Sequence, residues 1–249
     1  MPTSAGRSVF IAGASGAIGQ PLVRLLVADG WRVFGATRSA ARARQLAALG
    51  AEPIVTDVFD AAALRHAALE TLPSVLIHQL TDLPRTYDPS LMSQALERNA
   101  RIREQGTQNL LEAFQGTPVR RLVVQSIAFA YAPGKPPYSE EDRLNVDDAS
   151  PTSARTARAV AAMERLALGS AFETVVLRYG RLYGPRTWTD VPPSGCSAHV
   201  HAAADAARRA ISQGQPGVYN VAEAGGSVIV EKALRQLGWN PAFRLPDAG

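Results

Sequence analysis

Short apolar, β-branched runs alternate with stretches rich in Ala, Leu and Arg along most of this chain, and that alternation restricts the folds open to it. The runs "SVFIAG", "WRVFGAT", "EPIVTD", "SVLIHQL", "RRLVVQSIA" and "TVVLRYG" are separated by helical stretches at 17–29, 40–49, 60–70, 89–115 and 153–168. A strand that is apolar along nearly its whole length is covered on both faces. A helix between two such strands carries the chain back to the starting edge of the sheet. The pattern therefore predicts an α/β, doubly wound parallel sheet with helices on both sides. Beyond residue 198 a helix, a short strand "GVYNV" and a helix near 227–238 are expected to form a small terminal unit. Two Pro- and Gly-rich loops, 130–150 and 184–198, are too long for simple connections and are expected to bind something.

Composition narrows the partners. With 249 residues, 46% hydrophobic and 19% charged, the chain is that of an ordinary globular domain. No apolar run approaches the roughly 20 residues that span a bilayer, and the first ten residues lack the order of a secretion signal. A cytoplasmic protein with no membrane contact is expected. The net charge of +4 is scattered rather than blocked, so no nucleic-acid partner is expected. Cys196 is the single cysteine, and no cluster at ligand spacing supports a metal site. Lysine is nearly absent: only Lys135 and Lys232 occur among 26 basic residues.

In "FIAGASGAIGQPLVRLL" three glycines, Gly13, Gly16 and Gly19, follow a strand and open a helix, with Ser15, Ala17 and Ile18 between them. The first permits a tight turn, the second lets the backbone approach a pyrophosphate, and the third packs helix against strand. The helix N-terminus then offers free N–H groups to the anion. This is a Rossmann-type dinucleotide fingerprint. At the end of the second strand, where an NAD site places a carboxylate for the ribose, the chain has Thr37 and Arg38. A guanidinium holds a 2′-phosphate, so NADP is expected in preference to NAD. A second reading leaves Arg38 stacked on the adenine or facing solvent.

Taken together, GxxGxxG at 13–19, "TDV" at 56–58, "VLIHQL" at 75–80, "GTQNLLEA" at 106–113, "RRLVVQSIAFAY" at 120–131, "VVLRYGRLYGP" at 175–185 and "AHVHAAADAA" at 198–207 resemble the short-chain dehydrogenase/reductase superfamily. The likeness is to its extended, atypical branch of epimerase/dehydratase-like proteins. It implies a dinucleotide-binding domain at 1–180 and a reduced C-terminal substrate-binding subdomain at 181–249. It also implies that Asp57 and Val58 line the adenine pocket, and that Gln79 and Leu80 run beside the cofactor. Leu182 would approach the nicotinamide, and Arg181 and Tyr183 the substrate. Relatives often pair through helices matching 89–115 and 153–168, which implies a homodimer. Asp57 has a simpler reading too, since Asp is common where a strand ends in a turn.

The departures from the resemblance concern chemistry. Members that transfer hydride carry a Ser or Thr after the fifth strand and a Tyr and Lys one helical turn apart on the next helix, the lysine lowering the tyrosine pKa. Here those helix positions fall on Thr156 and Val160, and the serine position on Ile127 beside Ser126. Tyr131 and Lys135 have the right spacing, but "APG" between them does not make a helix. Ser126 and Tyr131 are thus the expected catalytic donors to a carbonyl, with Arg178 and Arg181 available to stabilise charge. His199 and His201 are expected to be structural histidines at the rim, and the acidic run 139–148 a solvated loop. Two functions follow: an NADP(H)-dependent oxidoreductase acting on a small carbonyl or sugar-like substrate, or a catalytically silent NADP(H)-binding sensor or regulatory protein.

Overall fold

The computed structural model describes residues 7–84 and 86–246. Seven parallel strands form one sheet in the order β3-β2-β1-β4-β5-β6-β9. They are β1 (Ser8–Ala12), β2 (Arg32–Thr37), β3 (Glu52–Val55), β4 (Val75–His78), β5 (Arg121–Ile127), β6 (Glu173–Tyr179) and β9 (Gly217–Val221). The order reverses between β1 and β4, which opens a crevice at their C-terminal ends, the usual ligand position in such sheets. A two-stranded ribbon, β7 (Arg181–Tyr183) with β8 (Ser197–His199), stands beyond the end of β6.

The helices divide between two apolar layers. On one face, α1 (Gly19–Ala28) and α7 (Val200–Ala210) pack through Leu22, Val23, Leu26, Val200, Ala203 and Ala207 onto Ile11, Val123 and Leu177. The other face is covered by α3 (Ala61–Thr71), α5 (Thr107–Phe114) and α6 (Pro151–Leu168). There Leu64, Leu110, Phe114 and Met163 meet Phe10, Leu76, Leu122 and Val176. Two short helices, α2 (Ala40–Ala48) and α8 (Glu231–Gln236), complete the set. No helix among the described residues is long and apolar enough to cross a membrane.

The stretch expected to be helical at 89–115 is helical, but not all of it is α-helix: α4 (Pro89–Arg101) passes into a π-helical turn, Ile102–Gly106, before α5 begins. "GVYNV" pairs with β6 over Val175–Tyr179 as the seventh strand of the main sheet, and α7 lies against α1.

Candidate cofactor and substrate site

The glycine loop connects the end of β1 to α1. Gly13 has φ of 92°, and a Cβ there would sit 2.4 Å from the Gln79 carbonyl oxygen at the end of β4. Gly19 opens α1 so close to the loop that a Cβ would lie 2.3 Å from the Gly13 carbonyl oxygen. The loop is therefore pressed into the crevice. At its far end α1 starts at Ile18 with no side-chain cap and no acid in the first turn, which leaves the positive end of the helix to an anion. Ser15 Oγ, 3.4 Å from Thr37 Oγ1, ties the loop to the end of β2.

Around the β2 and β3 ends, charge is arranged asymmetrically. Arg38, with 53% of its side chain exposed, lies 3.6 Å from Asp82, and the same carboxylate accepts from Arg98 Nε at 3.1 Å. Two guanidinia thus share one carboxylate. Asp57 Oδ1 accepts from the Phe59 N–H at 3.0 Å and turns the chain out of β3. The carbonyl of buried Val58 is held at 2.8 Å by the Asn109 amide from α5.

Three buried side-chain polar atoms among the described residues have no partner: Thr56 Oγ1, Gln79 Oε1 and Arg103 Nη1. Thr56 follows β3, Gln79 follows β4, and Arg103 lies on the π-helical turn. Unpaired buried donors and acceptors are costly, and a dinucleotide rich in both kinds of group fits them. Burial lowers the Arg103 guanidinium to about 10. His78, beneath it at the end of β4, is lowered to about 4 by burial and then by the Arg103 charge. Its Nε2 lies 3.0 Å from Thr107 Oγ1. Arg103 is the residue that sequence reasoning missed. An arginine in a charged helical stretch carries no signal until the π turn shifts the register.

The expected catalytic hydroxyls are occupied inside the protein. Ser126, 1% exposed, donates from Oγ to Glu164 Oε1 at 2.6 Å. Glu164 receives Arg178 through Nε at 2.9 Å and Nη2 at 2.7 Å. Arg178 Nη1 donates to Tyr131 OH at 2.8 Å, and that hydroxyl donates to Asn220 Oδ1 at 2.7 Å. Burial, the largest influence, raises the Tyr131 pKa. Both hydroxyls thus donate within the protein, and Arg178 forms an ion pair with Glu164. Thr156 is half-buried on α6, while Val160 packs against Ile127, Ala130 and Leu144. Lys135 is exposed in a loop that is not helical, so Tyr131 and Lys135 share no helix face.

Past β6, Leu182 packs against the core. The expected substrate residue Tyr183 is only 7% exposed; its hydroxyl donates to Glu223 and accepts from Arg244 Nη2 at 2.9 Å. His199 stands 5.0 Å from the Tyr183 ring and caps α7 by accepting the His201 N–H at 3.1 Å. Burial, then Arg244 and His201, lowers it to about 4, so it is a neutral structural group. The acidic loop is not simply solvated, since Glu140 Oε1 accepts the Asn220 N–H at 2.8 Å. Arg181 remains exposed, its guanidinium 4.5 Å from the Phe129 ring centroid. No group of His, Cys, Asp and Glu among the described residues is arranged to hold a metal.

Comparison with known proteins agrees with this architecture. The chain superposes on a UDP-glucose 4-epimerase of Thermotoga maritima, solved with UDP-glucose, at a TM-score of 0.76. That match has 16% identity and covers 95% of this chain and 94% of that one. A Thermus thermophilus UDP-glucose 4-epimerase in complex with NAD gives 0.74 at 20% identity, over 96% and 95%. A nearer relative in sequence is a 3-diazoavenalumate denitrifying reductase from a Streptomyces species, 44% identical over 180 residues, or 72% of this chain. The match spans 57% of that relative's length. A sequence profile matches over residues 9–220, and by it the chain belongs to the NAD dependent epimerase/dehydratase family.

Proposed function

We propose that this protein is an NADP(H)-dependent reductase that replaces the diazo group of a small carboxylate by hydrogen. One observation supports the reading: the hydroxyls of Ser126 and Tyr131 both donate to internal acceptors, and the positions that the resemblance assigns to an acid/base pair are read as Thr156 and Val160. Reduction of a carbonyl requires a proton for the developing oxyanion. Loss of dinitrogen from the cationic, diazonium form of the group requires none from the protein. The reduced nicotinamide would supply the hydride when bound, so that R–N2+ and H− give R–H and N2, with the oxidised nucleotide as the other product. The relative named as a denitrifying reductase of a diazo carboxylate supports the same chemistry.

In this reading the glycine loop and the α1 N-terminus hold the pyrophosphate, and Asp57 and Val58 border the adenine. Gln79, Leu80 and Leu182 line the path to the nicotinamide. Arg38 and Arg98 around Asp82 leave one positive charge over, which a 2′-phosphate neutralises; this supports NADP over NAD. A homodimer through the outer faces of α4 and α6, where Leu91 is 47% exposed, belongs to the same proposal.

The test is to mix the protein with 4-deuterated NADPH and a diazo carboxylate. Cofactor oxidation, N2 release and deuterium in the product are followed against a protein-free control. Equal yields of all three above the control support the reading. Tight NADPH binding without N2 release, on diazo and carbonyl substrates alike, leaves the dinucleotide-sensor function in its place.

A further inference from the structure

Large hydrophobic side chains left in water are costly relative to burial. Scattered singly they need no explanation, but clustered they mark a binding surface. Of the eleven exposed large hydrophobics among the described residues, five lie on three loops at one end of the sheet. Leu83 and Tyr87 follow β4, Phe129 follows β5, and Trp188 and Val191 follow β7.

The loops after β4 and β7 are joined. Trp188 Nε1 donates to the Pro84 carbonyl at 2.8 Å, and its ring meets Tyr87 edge-on at 5.4 Å between centroids. In the sheet β5 lies between β4 and β6, and β7 continues from β6 after Gly180. Phe129 follows β5, the strand between β4 and β6, and the Arg181 guanidinium lies over its ring at 4.5 Å from the centroid. The indole N–H is satisfied and its ring fixed, so its free face is a rigid platform for another ring. Arg181 forms no ion pair among the described residues, and a guanidinium stacked on an aromatic face keeps its in-plane N–H groups free for a carboxylate.

We propose that Tyr87, Trp188, Phe129 and Arg181 form the substrate subsite, and that it takes a planar aromatic carboxylate: the rings hold the aromatic body and Arg181 the carboxylate. This rests on the proposed reductase reading, and it adds the substrate class. A sugar nucleotide offers no aromatic acid to this surface, and a short aliphatic acid leaves the rings wet.

The test uses cinnamate as the probe, titrated by calorimetry into the NADP+-loaded protein. Its methyl ester, 3-cyclohexylpropanoate and UDP-glucose are compared with it. Cinnamate is expected to bind roughly ten-fold or more tightly than each of the other three, the size of one good stacking or charge-assisted contact. Trp188→Ala and Arg181→Ala should each lose about ten-fold for cinnamate with NADP+ affinity unchanged, and Trp188→Phe should restore most of the loss. Equal binding of the cyclohexyl acid or the ester, or unchanged affinity in Trp188→Ala, overturns the subsite. The two readings separate cleanly. Cinnamate selectivity without diazo turnover leaves the subsite standing and removes the reaction. Diazo turnover with an unaltered KM in Trp188→Ala does the reverse.

Discussion

A side-chain nitrogen buried without a partner is costly, and Nη1 of the half-buried Arg103 is held in that state. A ligand that supplies the missing acceptor recovers part of the cost. Arg103→Leu is therefore expected to stabilise the cofactor-free protein by about 1–4 kcal/mol in urea unfolding. The same change should weaken NADP(H) by roughly ten-fold in calorimetry. Stability and affinity that both stay put would mean that the guanidinium faces no ligand. Arg38 makes the opposite kind of prediction, because it is exposed and shares Asp82 with Arg98. Arg38→Ala should weaken NADPH by about ten-fold and leave NADH within about two-fold, since only the former carries the 2′-phosphate. Equal loss for both removes the argument for NADP. The glycine loop was legible because its constraint is local: three glycines, one strand and one helix within a dozen residues. Ser126 was not, since its acceptor Glu164 comes 38 residues later and on another element.

At the scale of elements, one polar chain fastens α6 to the sheet. Ser126 on β5, Glu164 on α6, Arg178 on β6, Tyr131 in the loop after β5 and Asn220 on β9 are joined donor to acceptor across four elements and that loop. Its ion pair is buried, with 6% and 7% of the two side chains exposed. Removing one charge leaves the other stranded, which costs more than the intact pair contributes. Glu164→Gln should therefore lower unfolding stability by about 3–5 kcal/mol. Glu97, which meets Arg155 on the surface at 3.1 Å, should tolerate the same change within about 1 kcal/mol. Similar small losses at both positions, read from urea midpoints, would show that water reaches the inner pair. Strand order explains why β9 escaped a reading of the sequence. Periodicity identified the strand, but its partner β6 lies about forty positions earlier, and nothing local distinguishes joining that edge from starting a separate unit.

Over the whole molecule, the crevice couples stability, pH and ligand through His78. Its folded value is about 4, against 6.5 unfolded, so the unfolded chain takes up the proton first as pH falls. The stability due to neutral His78 is complete above the unfolded value and is lost as pH falls toward the folded one. At about 1.4 kcal/mol per pH unit, the loss approaches ~3 kcal/mol over that window. His199, lowered in the same direction, adds to it. The urea midpoint should accordingly fall between pH 7 and pH 5, and His78→Gln should flatten the fall. The Arg103 charge is one of the two causes holding His78 down. A ligand oxyanion that neutralises Arg103 lets the His78 value rise toward its unfolded one and narrows the window. Saturating NADP+ should thus raise stability at both pH values, by about 2.7 kcal/mol at a hundred-fold excess over Kd. It should also make the remaining pH dependence shallower. A cofactor that raises both midpoints equally, with the slope unchanged, would place its phosphates away from Arg103 and leave the glycine loop as their principal holder.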